Sequence, residues 1–217
     1  MEFYHVINRG VDKRTTFQEE GDYLRFIQNL HIYNSTESAP HNVWSTSARM
    51  KIMPVKKLVT IHAYCLMPNH YHLLLSPLVD DGITKFMHKV GMGYSKYFNE
   101  KNERTGVLWQ GKYKSINITT DAQLNYIPYY INLNALDLSH PQWRRGAVTN
   151  TQNALTRLQQ YKWSSHSLFL YPEKIDTSIL SGSFFTKELS QAKYIQEIVN
   201  IISDKTLAQY SESIELK

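Results

Sequence analysis

The clearest chemical signal in the chain is the tripeptide His70-Tyr71-His72. In an extended strand alternate side chains share a face, so imidazoles at i and i+2 converge on one point and can chelate a divalent cation. Tyr71, Leu73 and Leu75 then turn to the opposite face and pack in a core. Chance is the competing origin, with one ring hydrogen-bonded and the other exposed. Neutral imidazole suits several metals, and softness alone ranks Zn²⁺ or Mn²⁺ ahead of Mg²⁺.

A second cluster follows in the stretch Tyr-Tyr-Ile-Asn-Leu-Asn that starts at Tyr129. Tyr130 and Asn134 are four residues apart and share one helical face, about one turn from each other. Asn134 can give a carbonyl oxygen to a metal while Tyr130 offers a phenol to a phosphate beside it. An unperturbed phenol titrates near about 10, so it needs a Lewis acid to hold and polarise its target. Attack on a phosphodiester would leave a phosphotyrosine and free a sugar hydroxyl. Tyr126 and Tyr129 compete for the role, and a tyrosine-rich core stripe would explain the same pattern. Pro128 removes one helical hydrogen bond, but Tyr130 and Asn134 both follow it.

A third cluster alternates Arg104, Lys112 and Lys114 with Trp109 and Tyr113, pairing cations that neutralise phosphates with rings on which unstacked bases can rest. A glycine-bounded, partly buried strand is the alternative. Gln110, Arg9 and Arg14 complete the candidate nucleic-acid set. The formal charge of +5 and the pI near 9.1 suit a polyanionic partner. Cys65 is the only cysteine, which excludes an intrachain disulfide and a multi-cysteine zinc site and fits a reducing compartment. The first residues hold no apolar signal region and no stretch approaches a membrane span, so the expectation is a cytoplasmic protein.

The elements that must position these residues are legible from periodicity. Phe3 to Asn8 reads as a strand ending at a turn at Arg9-Gly10. Tyr23, Phe26, Ile27 and Leu30 form one helical face, with Asp22 as its cap. Residues 34–57 are polar, then basic, and read as a long loop or short hairpin. Leu58 to Leu66 and His70 to Pro77, separated by Met67-Pro68-Asn69, read as adjacent central strands covered on both faces. Ile83, Phe86, Val90, Tyr94 and Tyr97 mark a second helix, with Gly91 and Gly93 permitting close approach. The stretch from Asn99 to Thr119 reads as a loop followed by a short strand, and Thr120 with Gln123 forms a capping box opening a third helix toward Leu136. Leu189, Ala192, Ile195, Ile198 and Val199 predict a last helix over 187–202. This order suits an α+β fold of the ferredoxin-like (RRM-like) kind, an antiparallel sheet with helices on it plus a C-terminal helical appendage.

Together these segments resemble the single-tyrosine HUH transposases of insertion-sequence type, particularly the REP-associated tyrosine transposase branch. The likeness runs through YHVINRG from Tyr4, DYLRFIQ from Asp22, AYCLMPNHYHLLL from Ala63, YSKYFN from Tyr94, GVLWQGKYKS from Gly106, YINLNA from Tyr130 and YKWSSHS from Tyr161. It implies His70 and His72 as metal ligands, Asn134 as third ligand and Tyr130 as nucleophile. It also implies Mg²⁺ or Mn²⁺ rather than zinc, and single-stranded DNA with imperfect hairpins as partner. A labile hard cation suits a site that must bind and release a phosphate oxygen. Ala135 stands where the family often has Pro, and the family's Ala-Gly-Leu run is absent. The resemblance divides the chain into a catalytic domain over 1–140 and a partly helical extension over 141–217, acting as monomer or homodimer.

Two other functions remain open from sequence. One is a domesticated, non-catalytic binder of hairpin single strands. The other is a metallohydrolase that uses water in place of the tyrosine.

Overall fold

The computed structural model describes residues 1–37, 56–171, 179–180, 183 and 190–205. The chain runs β1 (Phe3–Arg9), α1 (Glu20–Ile32), β2 (Val59–Met67), β3 (His70–Pro77), α2 (Gly82–Lys101), β4 (Lys114–Ile118) and α3 (Asp121–Leu133). Beyond lie 3-10 turns at Asn134–Leu138 and Pro141–Arg145, then α4 (Thr151–Gln160), α5 (His166–Leu170) and α6 (Gln191–Ser203). The four strands form one antiparallel sheet in the order β2-β3-β1-β4. Chain order βαββαβ with this strand order is the ferredoxin-like arrangement that the sequence predicts.

Sheet register decides which residues can meet. Ile7 lies opposite His72 and Arg9 opposite His70 on β1, while Cys65 and Met67 face the same two histidines from β2. Cross-strand partners share a face. His5, Ile7, Arg9, His70, His72 and Lys114 therefore belong to one face, and Val6, Tyr71, Leu73 and Leu75 to the other. The second face is covered by α1 and α2, where the Phe26 and Tyr71 rings lie 4.9 Å apart. α3 packs on the first face against β2 and β3. Every residue of β2 is buried, as its near-continuous hydrophobicity predicts.

Local chemistry shifts some boundaries. Asp22 is not the cap of α1 but its third residue. Glu19 is the cap, and the Asp22 carboxylate accepts from the backbone N–H groups of Gln18 and Glu19 at 2.8 and 3.2 Å. Thr120 does cap α3 by accepting from Gln123 N–H, but the Gln123 amide reaches back to Thr119 N–H. α3 runs through Pro128 and ends at Leu133, continuing as a 3-10 turn. Gly93 is the glycine of α2 that permits close approach, since a Cβ there would lie 2.3 Å from the Tyr33 ring, whereas Gly91 meets nothing. α6 starts at Gln191, where the Ser190 hydroxyl accepts from Lys193 N–H, and it buries Tyr194, Ile198, Ile201 and Ile202. The predicted contribution of Leu189 lies outside the described residues, as does most of the predicted loop 34–57.

The ends of that loop are tied by one side chain. Buried Asn34 accepts from Leu58 N–H and Val59 N–H at 3.0 and 2.9 Å and donates to Val59 O at 2.8 Å. The clasp joins the end of α1 to the start of β2, so a long connection can leave the sheet without loosening it. Asn34→Ala should lower unfolding stability by about 2–4 kcal/mol, at about 1 kcal/mol per buried hydrogen bond. Urea denaturation measures this, and an unchanged midpoint would remove the clasp from the account.

Candidate active site

The two histidines sit where strand parity and register put them, on the face beneath α3. His70 is half-buried at the mouth of the β2–β3 turn, and its Nδ1 lies 2.6 Å from the Asn69 side-chain oxygen. An oxygen can only accept, so His70 carries its proton on Nδ1 and leaves the Nε2 lone pair available. His72 is buried, and its Nδ1 lies 2.9 Å from Nε2 of His5 on the neighbouring strand. The His72 Nε2 is buried with no hydrogen-bond partner among the described residues.

Burial holds both rings in the neutral form. It pushes the His70 imidazole down to about 4, with Arg9 adding to the effect and Asp137 opposing it. His72 is pushed well below its ordinary value by burial first, then by His5, His70 and the cations Arg144 and Arg9. Neutral imidazoles retain the lone pair that a cation requires.

α3 brings the phenol over this pair. The Tyr130 ring is buried, 6.1 Å from the His72 ring and 5.8 Å from the His5 ring in edge-on geometry. The competing tyrosines lie elsewhere: Tyr129 stacks on Tyr194 of α6, and Tyr126 lies one turn back, 6.1 Å from the Tyr130 ring. Rotation of α3 is fixed by a buried polar network, in which Asn132 donates to the Tyr194 hydroxyl and accepts from Ser165 at 2.7 Å. Ser165 is itself bonded to Tyr64 of β2.

Asn134 is oriented by the end of the helix. Its amide nitrogen donates to Tyr130 O at 2.8 Å, a carbonyl that also accepts the Asn134 backbone N–H, so its oxygen faces away from the helix. That oxygen meets Arg144, which sequence reasoning did not single out. The guanidinium donates to Asn134 Oδ1 at 2.6 Å, to the Tyr130 hydroxyl at 3.1 Å, and through two nitrogens to Asp137 at 2.9 and 2.6 Å. Trp143 Nε1 donates to the same carboxylate at 2.8 Å. The 3-10 turn Pro141–Arg145 thus folds back against the end of α3. Gly146 closes it at φ 58°, where a Cβ would lie 2.1 Å from the Asp204 carbonyl oxygen.

Whether these groups fit a divalent cation is decided by their donors. Among the described residues no group of three or more His, Cys, Asp or Glu is placed to hold a metal. A site would therefore rest on His70, His72 and the carboxamide oxygen of Asn134. The unpartnered buried Nε2 of His72 fits such an ion, and the Asn134 oxygen, which accepts from Arg144 at 2.6 Å, has a second lone pair to offer it.

The remaining candidates divide between the two faces. Arg9 is exposed beside His70, and Lys114 is exposed on the same face at edge strand β4. Exposed Gln110 donates its backbone N–H to Arg9 O, next to them. Arg14 bonds to Val11 O, and its ion pair with exposed Asp12 is at 4.0 Å. Arg104 is held at the end of α2 by Asn99 and by Val107 O. Tyr113 is half-buried with Lys112 Nζ 5.7 Å from its ring centre.

Trp109 is not a platform for a base. Its ring is buried on the opposite face, 5.2 Å from Tyr71 and 5.8 Å from Tyr94. The sequence pattern placed it with the cations because it alternates with them. In the structure Gly10 and Trp109 form only an isolated bridge, outside β4, so strand parity does not carry across.

Comparison with known proteins follows this geometry. Residues 45–134, which hold both histidines, Tyr130 and Asn134, match the family model described as transposase IS200 like. None of the curated proteins matches the chain. Among solved structures, one described as the REP associates tyrosine transposase bound to a REP hairpin is similar at 12% identity and a TM-score of 0.41, over 64% of this chain and 68% of that one.

Proposed function

We propose that this chain, whose residues 45–134 match the model described as transposase IS200 like, cleaves and rejoins single-stranded DNA through a 5′-phosphotyrosine on Tyr130. The observation that carries the reading is the meeting, on one sheet face, of two neutral imidazoles with the Tyr130 ring 6.1 Å from His72. Tyr130 Oη would attack phosphorus, the phenolic proton would pass to water, and the P–O3′ bond would break to release a 3′ hydroxyl. The reverse reaction would rejoin the strand. Bound by His70, His72 and Asn134, Mg²⁺ or Mn²⁺ would supply Lewis acidity at a phosphate oxygen. The helix end would hold Tyr130 and Asn134 in one frame, and the buried His5 would fix the orientation of the His72 ring.

The DNA path is the part of this face that α3 leaves open. Ile7 and Ile116 are half-buried there, between exposed Arg9 and exposed Lys114. A strand laid across β1 and β4 would bring a phosphate to the histidines. We assign the catalytic unit to residues 1–140, with 141–217 as a partly helical extension whose α6 packs against α3, and structured hairpins of the REP kind as the substrate. Among the described residues no helix is long and apolar enough to cross a membrane.

The test is a labelled single-stranded hairpin oligonucleotide incubated with protein and Mn²⁺, read for an SDS-resistant protein–DNA adduct. Cleavage that yields a free 5′ phosphate without an adduct would instead assign water as nucleophile. Metal-independent binding without cleavage would assign a binding protein.

The path has its own prediction. Replacing Arg9 and Lys114 by Gln should weaken binding across sequences and reduce the slope of log K against log salt by about 2, or about 1 per cation. Fluorescence anisotropy over a salt series measures it, and an unaltered slope would move the strand off this face.

A further inference from the structure

Resting on that proposed reaction, the geometry points to Arg144 as a second catalytic residue, whose guanidinium bears on the reacting oxygen of Tyr130 and stabilises the negative charge that oxygen carries. Three observations converge on it. The first is contact, since Arg144 Nη1 donates to the Tyr130 hydroxyl at 3.1 Å and the guanidinium lies 5.4 Å from the ring centre.

The second observation is bracing. Asp137 grips the Nε–Nη2 edge of the guanidinium at 2.9 and 2.6 Å, and the Trp143 ring flanks it at 4.8 Å. Trp143 is itself buried and bonded to Asp137, so an otherwise flexible side chain is held in a single orientation. A fork gripped on the Asp137 side presents its other side to Tyr130 and Asn134, the two groups that must act on one phosphate. A salt bridge needed only for stability would not require the phenol as a further acceptor.

The third is partial desolvation. The Arg144 and Asp137 side chains are 25% and 26% exposed. The attraction between guanidinium and phenolate is correspondingly less screened than on an open surface.

The chemistry runs in both directions. In cleavage the O–H bond of Tyr130 is lost to water as the Oη–P bond forms, and the P–O3′ bond breaks, with the 3′ oxygen taking a proton from water. In rejoining, Tyr130 Oη leaves as a phenolate. Negative charge develops on Oη before attack and after departure, and a guanidinium, which stays protonated, stabilises it in both. Arg144 neither gives nor takes a proton.

The experiment compares single-turnover adduct formation at saturating hairpin oligonucleotide in wild type, Arg144→Gln, Arg144→Lys and Arg144→Ala, with DNA affinity measured separately. Expected is a loss of about 10²-fold in rate for Arg144→Gln, as for removal of one preorganised donor, at unchanged DNA affinity. Arg144→Lys should retain part of the rate. Added methylguanidinium should restore part of it to Arg144→Ala, a response that a purely structural brace would not give. If Arg144→Ala does not fold, the Gln and Lys variants decide. Adduct formation at the wild-type rate in Arg144→Gln would overturn the assignment, as would a loss confined to DNA affinity. Wild-type protein that forms no adduct would overturn the tyrosine mechanism itself, and this assignment with it.

Discussion

Tyr130→Phe should abolish the covalent protein–DNA adduct, with a loss of at least about 10⁴-fold in cleavage, the scale seen when a nucleophile is removed from a site that keeps its other parts. The substitution deletes one oxygen. It leaves the ring among His5, His72 and Trp143, whose centroids lie 5.8, 6.1 and 5.8 Å away. The fold should tolerate it, since the hydrogen bond lost from Arg144 is worth about 1.5–3 kcal/mol. Loss of adduct without loss of thermal stability or DNA affinity would therefore belong to chemistry. An adduct that persists at wild-type level would transfer the role to another tyrosine, first of all Tyr126, one turn back on α3 with its ring 6.1 Å from that of Tyr130. Mapping the labelled peptide would name it.

His72→Ala should cost about 10³-fold in adduct formation at any Mn²⁺ concentration, since Lewis-acid stabilisation of several kcal/mol is at stake and each decade takes 1.36 kcal/mol. It should also remove Mn²⁺ binding measured by calorimetry in the absence of DNA, a readout independent of activity. The neighbouring His5 provides a graded companion. His5 is buried and its Nε2 lies 2.9 Å from His72 Nδ1, so His5→Phe leaves the ligand in place but releases its orientation. A weakening of Mn²⁺ affinity by about 10–100-fold is expected for loss of such an outer partner. Undiminished Mn²⁺ binding in His72→Ala would place the ion elsewhere.

The parts of this site that depend on local geometry were legible in the sequence. Period-two alternation suffices to pair His70 with His72, and a four-residue helical step suffices to pair Tyr130 with Asn134. The order of strands and helices follows from hydrophobic period and turn residues. The parts that depend on distant pairing were not legible. His5 joins the site only because β1 lies beside β3 in one register, and nothing near Tyr4 or Val6 announces that neighbour. Arg144 joins because the chain reverses after α3 and Asp137 captures it, a contact that needs Trp143 buried and Gly146 in a left-handed conformation. Trp109 shows the opposite failure. An alternating pattern was read as a strand face, but the backbone there makes only one isolated bridge and the ring turns into the core.

The placement of His70 and His72 on one of two neighbouring inner strands carries an implication for how the gene can change. Because β3 is hydrogen-bonded along both edges, a codon gained or lost between His70 and Leu75 cannot be absorbed by bulging outward. It would exchange odd for even positions, turning the imidazoles into the layer under α1 and α2 and setting Tyr71 beneath Tyr130. Substitutions can accumulate in this hairpin one at a time, whereas a single-codon indel would disarm the protein in one event.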